Sequence, residues 1–237
     1  MSPTGSERPL IAVSACLLGQ PVRYDGGHKR DAGVIGLLVR VGEVLPLCPE
    51  AGAGLGVPRP PVRLTRQDGD VRALGVEDAG LDVTGVLTGY ARQLQVELDQ
   101  VCGLVSKSRS PSCGQGSTPL YDRRGRLLSY RDGLFVEQFR QGLPLVPMVE
   151  ESDLADPVRR KHFLEQVFCL HHWHRLGPHP DYPRLMAFHR RHQPLLRRRG
   201  KHWPQRLRPT EGASPEEYIR ALMQVLRTTV DRSLRKL

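Results

Sequence analysis

The sequence lacks any apolar run near the roughly 18 residues that a membrane-spanning helix needs, and its opening stretch MSPTGSERP lacks the charged-then-apolar layout of a secretory signal. These two absences argue against a membrane protein and lead us to expect a cytoplasmic one. The chain also has no CxxC pair, no compact ferredoxin-type cysteine run and no GxxxxGK[ST] phosphate loop. It has only five cysteines, an odd number scattered along 237 residues, which argues against a disulfide framework. Free thiols in such a chain are core filler, nucleophiles or metal ligands.

The charge that is present is unevenly spread. The net charge is +10, yet residues 1–150 hold 17 Lys+Arg against 16 Asp+Glu, whereas residues 151–237 hold 18 against nine. Eight of the nine histidines also follow residue 150. The composition therefore divides the chain into a near-neutral body, 1–152, and a basic, His-rich extension, 153–237.

In the body, PLIAVSACLLG (9–19), EVLPLCPE (43–50), VCGLVSKS (101–108) and LPLVPMVE (143–150) read as short buried strands. DAGVIGLLVRVG (31–42) opens on an Asp cap and has helical spacing. LDVTGVLTGYARQLQVELDQ (81–100) is the longest helix, with Val86, Leu87, Tyr90, Leu94 and Leu98 along one face, and RDGLFVEQFRQG (131–142) is a short amphipathic one. PPVRLTRQDGDVRALG (60–75) reads as a hairpin turning at Asp-Gly. This alternation predicts an α/β fold: an open, mostly parallel, Rossmann-like sheet of about four strands with flanking helices, followed by a helical C-terminal extension. FLEQVFCLHHWHRL and PEEYIRALMQVLRTTVDRSLRKL are the clearest helices of that extension.

Three cysteines fall at one edge of this plan. Cys16 ends the first strand, Cys48 ends the second, and Cys113 follows the third by one loop, SKSRSPSCG. The carboxyl ends of an open parallel sheet form the edge where ligands bind. Three thiols there suit a zinc with water as its fourth ligand, or a [4Fe–4S] cluster with one iron left free. Cys102 begins the third strand and Cys169 lies in an apolar helix; both read as core. Glu50, two residues after Cys48, is placed to work beside whatever that thiol holds. RYDGGHK (23–29) would be a loop facing the substrate. Lys107 and Arg109 can offset negative charge, and Ser108, Ser110 and Ser112 can donate hydrogen bonds. A metal-free phosphate loop is the competing reading of this segment.

Four blocks, SACLLGQPVRYDGGHK, LPLCPEAGAGLGVPRPP, DVTGVLTGYA and SKSRSPSCGQG, together resemble the signature of the thiouracil desulfidase family, over roughly residues 9–150. The resemblance implies a [4Fe–4S] cluster held by Cys16, Cys48 and Cys113, with one iron not ligated by protein. It implies Glu50 as a catalytic carboxylate and a catalytic serine in the KSRSPSCG block, Ser110 in preference to Ser108. The substrate would be a small thiolated pyrimidine whose thiocarbonyl sulfur is replaced by the oxygen of water.

The segment RLMAFHRRHQPLLRRRG resembles a block of a second, uncharacterised domain often fused after the first, but departs from it at Pro194, which should interrupt a helix, and in its arginine run. The alternative function is that of an RNA-binding or thiolated-tRNA-acting protein that uses the basic extension: Arg197, Arg198, Arg199, Lys201, Arg206 and Arg208 would contact phosphates, and Trp173 and Trp203 would stack bases. The alternative for those cations is a solvated face. The histidines of HHWH (171–174) point in different directions on a helix, which argues against a metal site.

Overall fold

The computed structural model describes residues 7–228. Along the chain its elements are β1 (Leu10–Ser14), α1 (Ala32–Val41), β2 (Glu43–Leu47), α2 (Pro49–Gly52), β3 (Val62–Gln67), β4 (Asp70–Gly75), α3 (Thr84–Glu97), β5 (Val101–Ser106), β6 (Thr118–Tyr121), β7 (Leu127–Arg131), α4 (Leu134–Gly142) and β8 (Met148–Glu150). Four helices complete it: α5 (Pro157–His174), α6 (Tyr182–Arg197), α7 (Trp203–Arg206) and α8 (Pro215–Arg227). The part of the last expected helix beyond 228 lies outside the described residues, as do residues 1–6 of the opening segment.

The expected parallel sheet is present, with strand order β2-β1-β5-β8. Alternate residues of its strands feed two cores. Ile11, Val13 and Val105 pack with Val34 and Leu38 of α1 and Phe163 and Val167 of α5. Ala12 and Leu104 pack with Leu94 of α3 and Phe135 and Phe139 of α4. α1 begins as its sequence predicts, with the Asp31 carboxylate accepting from the Val34 amide at 2.9 Å.

Several elements differ from expectation. β1 is shorter than the apolar run, because residues 15–18 turn into a 3-10 helix. β2 lies at the sheet edge and is only partly covered, not a strand buried on both faces. On α3 the buried side chains are Leu87, Ala91 and Leu94, with Leu98 just beyond, whereas Val86 is exposed. A second sheet, β4-β3-β6-β7, joins the expected hairpin to one that the sequence pattern conceals. The β3–β4 turn places both Asp68 and Gly69 at positive φ, 52° and 92°, the geometry that matches the twist of a two-residue hairpin. β6–β7 escapes notice because β7 carries no alternation, with Leu127, Leu128 and Tyr130 all exposed.

The extension packs onto the body instead of standing apart. Gly103 of β5 lets α5 approach: a Cβ there would lie 2.8 Å from Val167 Cγ2 and 3.0 Å from Phe163 Cζ. Cys169, Leu170, Leu185 and Leu222 share one core with Ala12 and Leu104. Pro194 does not end its helix. It removes one hydrogen bond in the last turn, and α6 continues to Arg197. Among the described residues no helix is long and apolar enough to cross a membrane.

Two outcomes follow from this packing. Gly103→Ala should destabilise the protein by about 1–3 kcal/mol through overpacking, read from its denaturation midpoint. The second concerns acid. Burial lowers the pKa of His171, His172, His174, His189 and His192, His172 to about 4. His172 accepts from Arg191 Nη2 at 2.9 Å and sits 3.2 Å from His192 Nε2, so a proton there has only cationic or imidazole neighbours. Because the folded values lie below the unfolded value, stability is full above about pH 6.5 and lost as pH falls toward 4. A Tm series across that window should decline steadily; a flat series would contradict this environment.

Candidate active site

β1 lies between β2 and β5, so the chain leaves it toward one neighbour and later returns on the other side. The loops after β1 and β5 therefore diverge at their carboxyl ends and leave a crevice. That crevice is a cavity of about 370 Å³, and Cys16, Cys48 and Cys113 all line it. Cys16 enters from the 3-10 turn after β1, Cys48 from the N-cap of α2 after β2, and Cys113 from the loop after β5. The two remaining cysteines are buried elsewhere, as expected: Cys102 within β5 and Cys169 within α5.

Two of the cavity thiols, Cys16 and Cys113, are raised in pKa by burial and by their neighbours. Cys16 is pushed up by burial and then by Cys48. Cys113 is pushed up by burial, then by Glu50, Cys48 and Cys16, with a hydrogen bond from Ser14 opposing. A cation bound among them would relieve that repulsion and take them as thiolates. The donor set, all soft sulfur, suits an iron–sulfur or zinc centre. Among the described residues no three His, Cys, Asp or Glu side chains are set to hold a single metal ion.

Glu50 lies on the same cavity with both carboxylate oxygens held. Oε1 accepts from Ser112 Oγ at 2.8 Å, and Oε2 accepts from Arg59 Nε at 2.9 Å and Nη2 at 2.8 Å. Arg59 is the partner that sequence reasoning missed, and Ser112 was expected only as one of three hydrogen-bond donors. Nothing in the Ser108-Ser110-Ser112 alternation singles out Ser112, which is fully buried. Arg59 did carry a signal: a guanidinium between prolines, in VPRPP, is a held group and not a free one.

The loop from Lys107 to Ser117 is organised from within. Lys107 N donates to Ser14 Oγ at 2.9 Å, Ser108 N to Glu151 Oε2 at 2.7 Å, and Arg109 N to Ser117 Oγ at 2.7 Å. Ser110 Oγ accepts from Ser112 N at 3.3 Å and Cys113 N at 3.1 Å, while Gln115 N donates to Glu150 Oε1 at 2.6 Å. Arg109 is held at φ 60°, a strained conformation for a residue with a side chain. A phosphate loop needs free amides, and most of those here donate to Ser14, to the loop's own oxygens or to two carboxylates. That use of the amides weighs against the metal-free phosphate reading. Ser108 Oγ donates to Glu151 Oε1 at 2.8 Å, and Lys107 Nζ pairs with the same oxygen.

In the 23–29 loop, Arg23 and Tyr24 line the cavity, whereas Asp25 and His28 cap local turns by accepting from Gly27 N and Arg30 N. The cations and tryptophans of the extension do not form one free face. Arg198 and Arg199 clamp Glu165 at 2.7 and 2.8 Å, and Trp173 packs in the core against Phe188 and Tyr218. Trp203 carries Arg206 over its ring.

Three thiols and one carboxylate thus meet in a cavity at the switch point of a parallel α/β sheet, the donor set of a metal- or thiol-dependent site. The model of the 2-thiouracil desulfurase family matches residues 11–151, and the chain belongs to that family. Among solved structures, a [4Fe-4S]-dependent thiouracil desulfidase, TudS, is 31% identical, covering 62% of this chain and 94% of its own, with a TM-score of 0.49. No curated protein matches the chain.

Glu151 anchors the cavity wall through Lys107 and Ser108. Glu151→Ala should lower stability by about 1.5–3 kcal/mol, the range for hydrogen bonds to a charged group. Amide exchange at Ser108 should rise in the same variant; unchanged protection there would refute the anchoring.

Proposed function

We propose that this chain is a [4Fe–4S]-dependent desulfidase that hydrolyses the thiocarbonyl of a small thiolated pyrimidine such as 2-thiouracil. The observation that carries the reading is the meeting of Cys16, Cys48 and Cys113, from three separate strand ends, in one cavity beside Glu50. Membership of the 2-thiouracil desulfurase family supports the substrate class. The three cysteines would hold the cluster and leave one iron without a protein ligand. Bound there, such a cluster supplies a Lewis acid that polarises C=S and makes its carbon electrophilic.

The remaining work falls to side chains. Glu50 orients a water and takes its proton as the oxygen adds to the thiocarbonyl carbon. The carbon–sulfur bond then breaks, sulfur leaves as sulfide, and both protons of water end on it. The products are C=O and H2S, so no electron donor or acceptor is needed. Of the two serines, Ser110 is the better donor to the substrate. Its oxygen already accepts from two amides, which leaves its own proton free, whereas the Ser108 proton is given to Glu151. Every residue with a role in this reading precedes 152, so the division into a chemical body, 1–152, and a supporting extension, 153–237, is part of the proposal.

Iron and sulfide analysis after anaerobic reconstitution, with 2-thiouracil turnover assayed in parallel, tests it. Wild type should hold about four iron and four sulfide per chain and release sulfide from 2-thiouracil. Cys48→Ala should lose both cluster and turnover. A reconstituted wild type with no iron that still turned over substrate would sink the cluster reading.

A further inference from the structure

Arg59 is the most fully engaged group at the cavity. Besides Glu50 Oε2, its guanidinium donates through Nη1 to Gly56 O at 2.7 Å and through Nη2 to Val22 O at 3.0 Å. Its backbone N donates to Tyr24 O at 2.9 Å. The Arg59 side chain is 6% exposed and that of Glu50 14%. Cys48 Sγ also lies 3.7 Å from Val22 O. One planar cation thus joins three segments: the loop that carries Arg23 and Tyr24, the turn at Gly56, and the start of α2 with Glu50.

We propose that Arg59 and Ser112 are positioning residues that act on the reaction through Glu50. The inference rests on the reading of Glu50 as the group that handles water. A carboxylate held on one oxygen alone can still rotate about its last torsion. With Ser112 on Oε1 and Arg59 on Oε2, rotation is blocked, and the lone pairs left over keep one direction. Arg59 also fixes that direction relative to the wall formed by Arg23 and Tyr24, because the same guanidinium holds the Val22 carbonyl. A lysine can supply the charge but cannot donate to three acceptors in one plane. Displacing a catalytic group by about 1 Å costs on the order of 100-fold in rate, so loss of this hold should appear in kcat.

The experiment uses the reconstituted full-length protein with 2-thiouracil, comparing Arg59→Lys, Ser112→Ala and Glu50→Gln. Arg59→Lys and Ser112→Ala should keep wild-type iron and sulfide content and an unchanged visible spectrum. Both should lose about 10- to 100-fold in kcat with KM within about 2-fold, the pattern of an interaction that matters in the transition state. If Glu50→Gln is inactive while both other variants keep wild-type kcat, the positioning role is overturned and the Glu50 reading stands. If Glu50→Gln is fully active, the Glu50 reading fails, and this inference with it. A rise in KM alone in the Arg59 and Ser112 variants would also overturn the inference, since it would place them in substrate binding. Should Arg59→Lys fail to fold, Ser112→Ala decides by the same criteria.

Discussion

The site depends on the reversal of strand order around β1. Because β2 and β5 flank the strand that precedes both, the connections leaving β1 and β5 depart to opposite faces, and no backbone closes the gap between them. That gap brings together three cysteines that are far apart in the chain. Both extra hairpins are inserted in the connections that leave β2 and β5 at this same edge, so the second sheet borders the crevice, and Pro61 and Val62 line it.

A crevice lined by loops raises the problem of backbone polarity, since amides withdrawn from water need partners. The chain meets it locally. Glu150 and Glu151 follow one another at the end of β8 and reach across to β5's loop, one binding Gln115 and the other Ser108. The loop is thereby anchored to β8, and most of its amides are engaged. The cavity is lined by three sulfurs, the Glu50 carboxylate and the Ser110 hydroxyl, with Arg23, Tyr24 and Arg109 beside them. Burial alone does not mark the functional thiols. Cys102 is pushed up to about 12 and Cys169 is raised as well, yet each stands apart from the other thiols. Cys113 differs in that two cysteines and Glu50 contribute to its rise.

Most of the parallel sheet was legible because its strands are buried and its helices amphipathic, so hydrophobic periodicity reports them directly. β5, buried along its whole length, and α1, with its Asp31 cap, are the clearest cases. β7 was not legible because it buries almost nothing, and β2 was misread because an apolar edge strand looks like a central one in sequence. In the site, the cysteines and Glu50 could be placed by topology alone, since strand ends share an edge. Ser112 and Arg59 could not. Their roles depend on which of several polar groups finds Glu50, and that is decided by loop conformations that periodicity does not encode.

The extension shows why a boundary in composition need not be a boundary in packing. A parallel sheet needs cover on both faces, and on the α1 face the strands β5 and β8 are covered by α5, which lies after the shift to basic composition. Gly103 is small so that this helix can come close. The inner faces of α5, α6 and α8 supply the core, and just beyond α6 Arg198 and Arg199 pair with Glu165 of α5. Deleting residues after 155 would strip the sheet that holds all three cysteines. The family match ends at residue 151, and the residues assigned to chemistry all lie within it; the packing that keeps them in place continues well beyond it.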